Sequence, residues 1–203
     1  MSIVTFPSTL DVEKFSWEYK PMDVTFSSNF GTQSIGGGMP KWAASISAPD
    51  IYEYQASQWK TLLMQLRGRQ NQLALWNLAR PVPLGTYRGS PTLSSSVAMG
   101  DTTMTFADAA QASKTLKVGD YVGIGSGLTQ QVVMLVTDAT ANGSGVITVT
   151  FEPPLRNAFA ASTAITLDKP KALFRQTASS NKWDYSGVFA SGFALDLQED
   201  WRV

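Results

Sequence analysis

The sequence predicts a mainly-β protein with one amphipathic helix, in which a small β-barrel interrupts a larger core. Many short segments alternate apolar and polar residues, only one segment has helical spacing, and the composition changes between Gly85 and Pro170. Aromatic residues are frequent outside that region, whereas Ala, Ser, Thr and Gly dominate within it. We therefore predict a discontinuous core, residues 1–87 and 171–203, and an inserted barrel, residues 88–170, called the insert below.

The N-terminal segment is predicted to form strands. Phe15, Trp17 and Tyr19 alternate with polar residues, and Val24 and Phe26 continue the spacing after a proline. Aromatic residues with this period are typical of a packed core. A stacked sugar-binding face remains an alternative for the same aromatic stripe.

Three consecutive glycines, Gly36–Gly38, then predict an interruption before the next strand. A flexible loop is the simple interpretation. The alternative is a loop that becomes ordered only when a neighbouring subunit packs against it.

The next strand is predicted from the alternation of Trp42, Ala44 and Ile46 with Ala43, Ser45 and Ser47, which gives it one buried face.

One short helix is expected to follow. Asp50 precedes Glu53 by three residues, which is the spacing of an N-cap with a reciprocal carboxylate. Arg67 and Gly68 are expected to end the helix, as a cation at its negative end and a residue that tolerates positive φ. The apolar side of the helix consists of Trp59, Leu62, Leu63 and Leu66.

Alternation resumes at Leu73, Leu75 and Asn77, which predicts a half-buried strand. Two prolines and a glycine within residues 80–85 then end the first part of the core.

The insert is predicted to contain several short strands. They are expected near residues 104–106, 121–124, 132–137 and 146–151, and their regular spacing favours a closed or nearly closed barrel. The dipeptide Asn142–Gly143 predicts a hairpin turn before the last of them. The glycine-rich run 123–127 lacks the third glycine and the helix of a dinucleotide loop, so a glycine-rich hairpin is favoured over a phosphate site.

The chain is expected to return to the core at Leu173–Phe174. Phe193, Leu195 and Leu197 alternate with polar residues and predict a final strand.

Enzymatic chemistry is disfavoured. The chain has no cysteine and no histidine, so thiolates, disulfides and the commonest general base and transition-metal ligand are missing. Glu199 and Asp200 should point to opposite faces of a strand, and three aspartates lack calcium-loop spacing, namely Asp101, Asp120 and Asp138. We expect no catalytic residue, no cofactor and no metal.

Charge and hydropathy limit the classes of partner. Sixteen basic and sixteen acidic residues give zero formal net charge, which disfavours sequence-specific DNA binding. No apolar run approaches the ~20 residues needed to cross a bilayer, so membrane insertion is not expected.

Two regions carry a resemblance to tail proteins of long-tailed bacteriophages. The run KWAASISAPDIYEYQASQWKTLLMQLRGRQNQLALWN resembles a strand, a helix ending in Leu-Arg-Gly and a strand in tail-tip proteins. The second region looks like the small barrel inserted into many tail proteins. It contains in order the segments 116–121, 131–133, 142–145 and 151–156.

Together these regions resemble the distal tail proteins of siphovirus-like phages or prophages. The resemblance implies a β-sandwich core with the helix packed on it, and a homo-oligomeric ring, expected to be a hexamer, in the virion tail tip. Such a protein is made in the host cytoplasm. Its ring joins the tail tube protein to hub or fibre proteins and leaves an axial channel through which DNA passes without specific binding.

Arg67 and Arg69 are candidate subunit-interface residues, and a local interaction with the helix dipole is the alternative for both. The candidate core scaffold consists of Trp42, Ile46, Trp59, Leu62, Leu63 and Leu66. The runner-up function is a carbohydrate- or receptor-binding module at the tail tip, and a tube or terminator protein is a third alternative.

Overall fold

The computed structural model describes residues 2–200, so residues 1 and 201–203 of the predicted core segments lie outside the described part. The first core segment contains strands β1 (Ile3–Thr5), β2 (Lys14–Lys20), β3 (Asp23–Ser28), β4 (Gly31–Gly36), β5 (Lys41–Ser47) and β6 (Ile51–Tyr52), helix α1 (Glu53–Leu66) and strand β7 (Gln72–Leu75).

The insert contains eight short strands and two one-turn 3-10 helices, Ala109–Gln111 and Gly127–Thr129, within the described residues. The strands are β8 (Thr92–Leu93), β9 (Thr103–Ala107), β10 (Thr115–Leu116), β11 (Tyr121–Ile124), β12 (Gln131–Leu135), β13 (Ala139–Thr140), β14 (Val146–Glu152) and β15 (Ile165–Thr166). The core then resumes with β16 (Ala172–Gln176), β17 (Asp184–Ser186), β18 (Phe189–Ser191) and β19 (Ala194–Glu199). The predicted mainly-β class is confirmed.

The core is built on a six-stranded sheet in the order β1-β7-β16-β19-β5-β2. Its strands pair antiparallel except for β1 and β7, which are parallel. A three-stranded sheet, β17-β18-β6, and helix α1 share one hydrophobic cluster with the large sheet. The two core segments, which flank the insert in the sequence, thus build one core.

Strands β5 and β7 are more deeply buried than alternation predicts. Trp42, Ala43 and Ala44 are all buried in β5, and every residue of β7 is buried. Each strand has a hydrogen-bonded neighbour on both sides, so it lies inside the sheet. The prediction of one exposed face was therefore wrong for β7 and for the first half of β5.

Helix α1 begins at Glu53, and the predicted N-cap at Asp50 is wrong. Ile51 and Tyr52 instead pair with β18, and the backbone N–H of Glu53 donates to the carbonyl of Val188 at 3.1 Å. Tyr52 occupies the cap position without a side-chain hydrogen bond. Pairing with another strand has thus replaced the local cap.

The apolar side of α1 is confirmed as core. Trp59, Leu62, Leu63 and Leu66 are buried together with Ala56. The helix ends at Arg67, which itself adopts the left-handed conformation (φ 50°), followed by Gly68 (φ 63°). The predicted stop is confirmed, but the arginine occupies a backbone conformation that was expected only of the glycine.

The aromatic stripe of β2 lies mostly against the core. Trp17 packs edge-on to Phe174, with ring centroids 5.2 Å apart, and also contacts Trp42. Phe15 is partly buried against the same cluster, whereas Tyr19 is 41% exposed at the edge of the sheet. The core interpretation therefore holds for two of the three residues.

The insert is a curled sheet and not a closed barrel. Six strands pair in the order β15-β11-β12-β14-β9-β8, and β10 pairs with β13 separately. The two edge strands meet only through an isolated bridge between Thr92 and Ala164 and neighbouring backbone hydrogen bonds. The strands at this closure are two residues long, too short for a continuous ladder.

The insert has its own hydrophobic cluster, centred on Phe106, Val122 and Phe151. Tyr87 belongs to this cluster, since its ring packs edge-on to Phe106 at 5.8 Å. Some residues of the insert belong to the core side instead: Val132 packs in the core cluster, and Tyr121 and Met134 are partly buried against it.

The predicted turn at Asn142–Gly143 exists, with a different arrangement of strands. The Asn142 side-chain oxygen accepts hydrogen bonds from the backbone N–H groups of Ser144 and Val146. The two strands predicted on either side of it, β12 and β14, do pair antiparallel, but the short strand β13 lies between them in sequence and pairs with β10. The glycine-rich run 123–127 spans the end of β11 and the first part of its connection to the antiparallel strand β12.

The final strand is as predicted: Leu195 and Leu197 of β19 are buried and alternate with exposed residues. No helix among residues 2–200 is long and apolar enough to span a membrane.

Candidate assembly surface

Strands β3 and β4 form a hairpin, residues 23–36, whose side chains are all exposed. Paired residues share a face, and Val24 opposite Ile35, with Phe26 beside them, makes one face of the hairpin apolar. The other face carries Thr25 and Ser34, whose hydroxyls lie 3.0 Å apart. The hairpin is thus amphipathic but has no cover on its apolar face within the described residues.

This hairpin corrects one prediction, and its Phe26 side chain is 60% exposed. Gly36 was expected in a loop, yet it pairs with Asp23 and ends β4. Phe30 lies at the turn, fully exposed. An isolated two-stranded hairpin is marginally stable in water at best, so its apolar face is a surface that favours a partner.

A second exposed aromatic surface lies where the three-stranded sheet meets the start of α1. The rings of Tyr52 and Phe189 lie 4.8 Å apart, and Tyr54 stacks on Tyr52 at 5.9 Å. Val188 and Tyr185 beside them are also exposed.

Lys60 lies beside this aromatic surface and connects two of its polar groups. Its ammonium group donates to the Glu53 carboxylate and, at 2.7 Å, to the Tyr185 hydroxyl. These two hydrogen bonds raise the pKa of Lys60 above its ordinary value of 10.5. The folded protein therefore keeps the Lys60 proton to a higher pH than an ordinary lysine would.

The two candidate interface arginines lie at the end of α1 in different settings. Arg67 is exposed in its left-handed conformation. The guanidinium of Arg69 donates to the carbonyl of Thr177, and its own carbonyl accepts from Arg175 at 2.9 Å. Arg69 therefore fastens the turn after α1 to the end of β16, a contact between residues 108 positions apart. This contact differs from the pairing with the helix dipole that was considered as the alternative, and the subunit-interface role stays a prediction.

A buried polar cluster joins the insert to the core. The Arg156 guanidinium donates to the Glu199 carboxylate, and both side chains are almost completely buried. The other carboxylate oxygen accepts from the backbone N–H of Trp42 at 2.8 Å, and the Trp42 indole donates to the carbonyl of Val132 at 2.9 Å. Gln131 completes the cluster by accepting from the Arg156 backbone N–H.

The ionisation of this pair is shifted by its surroundings. Burial raises the pKa of Glu199 above its ordinary value of 4.5, against the opposing effect of Arg156 and the hydrogen bond from Trp42. Burial likewise lowers the pKa of Arg156. Desolvation of both charges thus outweighs their attraction, as in other buried ion pairs.

The remaining carboxylates that the sequence singled out have structural partners. Asp120 is buried and accepts from the backbone N–H groups of Leu84, Gly85 and Lys117, so it ties the end of the first core segment to the turn before β11. Asp138 pairs with Lys117, and Asp200 pairs with Arg175 away from Glu199. Among residues 2–200 no group of three potential metal ligands is brought together.

Comparison with known proteins adds no assignment. No protein-family model matches the chain. No curated protein matches it either.

Proposed function

We propose that this chain is a structural, non-enzymatic subunit of a phage or prophage tail tip, in which copies form an adaptor ring between tail tube and hub. The observation that carries this proposal is the amphipathic hairpin of residues 23–36, whose apolar face is exposed. The sequence resemblance supplies the class of assembly. The hairpin supplies the surface through which copies associate.

Subunit contacts in a closed ring are heterologous, so a patch on one copy meets a different patch on the next. The hairpin fits this geometry because its polar face stays in solvent while Val24, Phe26 and Ile35 pack on a neighbour. The aromatic surface around Tyr52 is a candidate for the receiving patch. Both surfaces belong to the core, where we expect most of the ring contact, and the insert is expected at the periphery.

The ring would cap the tail tube, seat the hub or fibre below and leave an axial opening for DNA. DNA passes freely only where the lumen lacks clustered Lys and Arg, which would bind phosphate. We therefore expect polar or acidic residues at the axis. A lumen lined by Arg67 or Arg69 would contradict the proposed ring.

The test compares three proteins by electron microscopy and light scattering, each purified alone and with the neighbouring tail proteins co-expressed. They are the wild type, the hairpin variant Phe26→Ser/Ile35→Ser, and the control Val118→Ser/Leu128→Ser, which changes exposed apolar residues of the insert. The wild type and the control should form rings with an opening wide enough for duplex DNA. The hairpin variant should remain a folded monomer.

Rings of the hairpin variant that match the wild type would overturn the hairpin contact. A wild type that stays monomeric under both conditions would overturn the ring. A hairpin deletion provides a second variant, because the Gly37 N–H donates to the Met22 carbonyl and the two ends are adjacent.

The runner-up, a carbohydrate-binding face on the β2 stripe, receives less support. Stacking on a sugar needs open ring faces, and the Trp17 ring is engaged by Phe174 and Trp42. Glycan binding that is abolished by Trp17→Ala in a folded protein would restore this alternative.

A further inference from the structure

A cavity of about 530 Å³ opens at the junction between the insert and the core. Its wall combines the N-terminal strand, Trp76 after β7, the glycine-rich run of the insert and the segment Asp168–Lys171 that returns to the core. Ligand sites favour such junctions, and the volume lies within the usual range for small molecules.

Two lysines of the return segment face the same aromatic ring. The ammonium groups of Lys169 and Lys171 lie 5.3 Å and 5.9 Å from the centroid of the Trp76 ring. No carboxylate among residues 2–200 forms an ion pair with either lysine, although Asp168 is their neighbour in sequence. The cavity therefore holds two lysines and one carboxylate, Asp168, and within residues 2–200 neither lysine is ion-paired.

The rest of the lining suits hydroxyl groups. Thr5, Ser8, Ser126 and Thr166 contribute hydroxyls, and the Asp168 carboxylate adds an acceptor. Phe6, Trp76 and Ile124 add apolar surface to the wall, although each of them is largely buried. Trp76 supports the lysines and offers little ring surface of its own.

We propose that this cavity, called the junction cleft, binds an acidic sugar unit. Lys169 and Lys171 would hold its carboxylate or phosphate, while the hydroxyl-bearing side chains and Asp168 bind the sugar hydroxyls. An acidic peptide shares the anion but not the ring of hydroxyls, which is why the sugar is favoured. The inference goes beyond the ring proposal and does not depend on it.

The glycines of this wall let the backbone of the insert pack closely against its neighbours. A side chain at Gly123 would place its Cβ 3.1 Å from Pro170, and one at Gly125 would meet the Phe159 ring at 2.6 Å. Gly125 also has a positive φ of 78°. The backbone of the insert can therefore lie close to the return segment without a side chain filling the space.

The test is an NMR titration of the intact ¹⁵N-labelled protein, following the backbone amides of Gly123, Gly125 and Ser126. The probes are glucuronate and glucose 6-phosphate, with glucose and N-acetylglutamate for comparison. We expect saturable shifts with an acidic sugar, and binding of glucose weaker by about tenfold or more. Tighter binding of glucuronate would indicate a carboxylate ligand, and tighter binding of glucose 6-phosphate would indicate a phosphate ligand.

Two variants make the result specific to the cleft. Lys169→Gln/Lys171→Gln should weaken binding about tenfold or more, whereas Lys114→Gln, an exposed lysine elsewhere on the insert, should leave it unchanged. Absence of saturable shifts with both acidic sugars would overturn the proposal, as would undiminished binding by the double variant. Equal or tighter binding of N-acetylglutamate would replace the sugar with an acidic peptide.

Discussion

Arg156 and Glu199 form an ion pair across the junction between the insert and the core, with both side chains almost completely removed from solvent. The carboxylate also accepts a hydrogen bond from the Trp42 backbone, so one acidic group connects three distant parts of the chain. The orientation of the insert is therefore coupled to the core sheet by charge as well as by apolar contact.

Removal of one partner of the Arg156–Glu199 pair should lower the free energy of unfolding. Arg156→Met leaves the Glu199 carboxylate buried without its cation, and we expect a loss of about 3–5 kcal/mol in the free energy of unfolding. Arg156→Met/Glu199→Gln should recover part of this loss, because a neutral amide can still accept from Trp42. Denaturant unfolding of both variants checks the prediction, and a double variant less stable than Arg156→Met would contradict it.

The pH dependence of stability should carry the signature of Glu199. Its pKa is raised in the fold, so the folded protein keeps this proton to a higher pH than the unfolded chain. Between the ordinary value of 4.5 and the raised pKa, the free energy of unfolding should therefore gain a contribution that decreases as pH rises. Arg156→Met/Glu199→Gln should lack this contribution when unfolding is measured across the same range.

Asp138 provides an internal comparison for that measurement. The hydrogen bond from Lys117 lowers its pKa below 3.8, so its contribution is present above that value and is lost as pH falls through the lowered pKa. The two effects lie in different pH ranges and have opposite signs. A pH profile of the Arg156/Glu199 double variant that matches the wild type above pH 4.5 would contradict the assignment.

Gly145 and Gly143 should respond differently to the same substitution. Gly145 has φ 74°, and an added Cβ would lie 2.0 Å from the Asp108 carbonyl oxygen, whereas nothing lies within 4 Å of a Cβ at Gly143. We expect Gly145→Ala to lower the free energy of unfolding by at least about 1–3 kcal/mol. Gly143→Ala should have little effect in the same thermal or denaturant experiment. Equal losses of stability in the two variants would contradict the turn geometry described above.

Trp59 and Tyr54 provide a matched pair on helix α1. Trp59 is 1% exposed and packs against Phe6 and Phe193, so Trp59→Ala should cost about 3–5 kcal/mol in the free energy of unfolding. Tyr54 is 75% exposed, and Tyr54→Ala should change stability by no more than about 0.5 kcal/mol. A large loss from Tyr54→Ala would mean that this face of the helix is covered in the isolated protein.

Apolar periodicity was sufficient to predict the parts of the fold that depend on local spacing. Trp59, Leu62, Leu63 and Leu66 are buried because helical spacing places them on one side, and Leu195 and Leu197 are buried because strand spacing does. The N-cap at Asp50 failed because Ile51 and Tyr52 pair with a strand more than 130 residues later, a contact without local signal.

The candidate surfaces were harder to predict for the same reason. Val24 and Phe26 alternate with polar residues whether their apolar face is covered by the same chain or by another, so periodicity alone cannot separate the two cases. Glu199 was more accessible to prediction. It continues the alternation of Leu195 and Leu197, which places a carboxylate in a buried position and requires a cation. The identity of that cation, Arg156, depends on a long-range contact.

The chain enters and leaves the insert side by side, since the Lys169 N–H donates to the Pro81 carbonyl at 2.6 Å. Closely spaced ends would let a different module be exchanged at this place without redesigning the core sheet. The exchange has one electrostatic condition. A substitute module must supply its own buried cation next to Glu199, or Glu199 must be replaced by a neutral residue. Otherwise the Glu199 carboxylate would be a buried, unpaired charge.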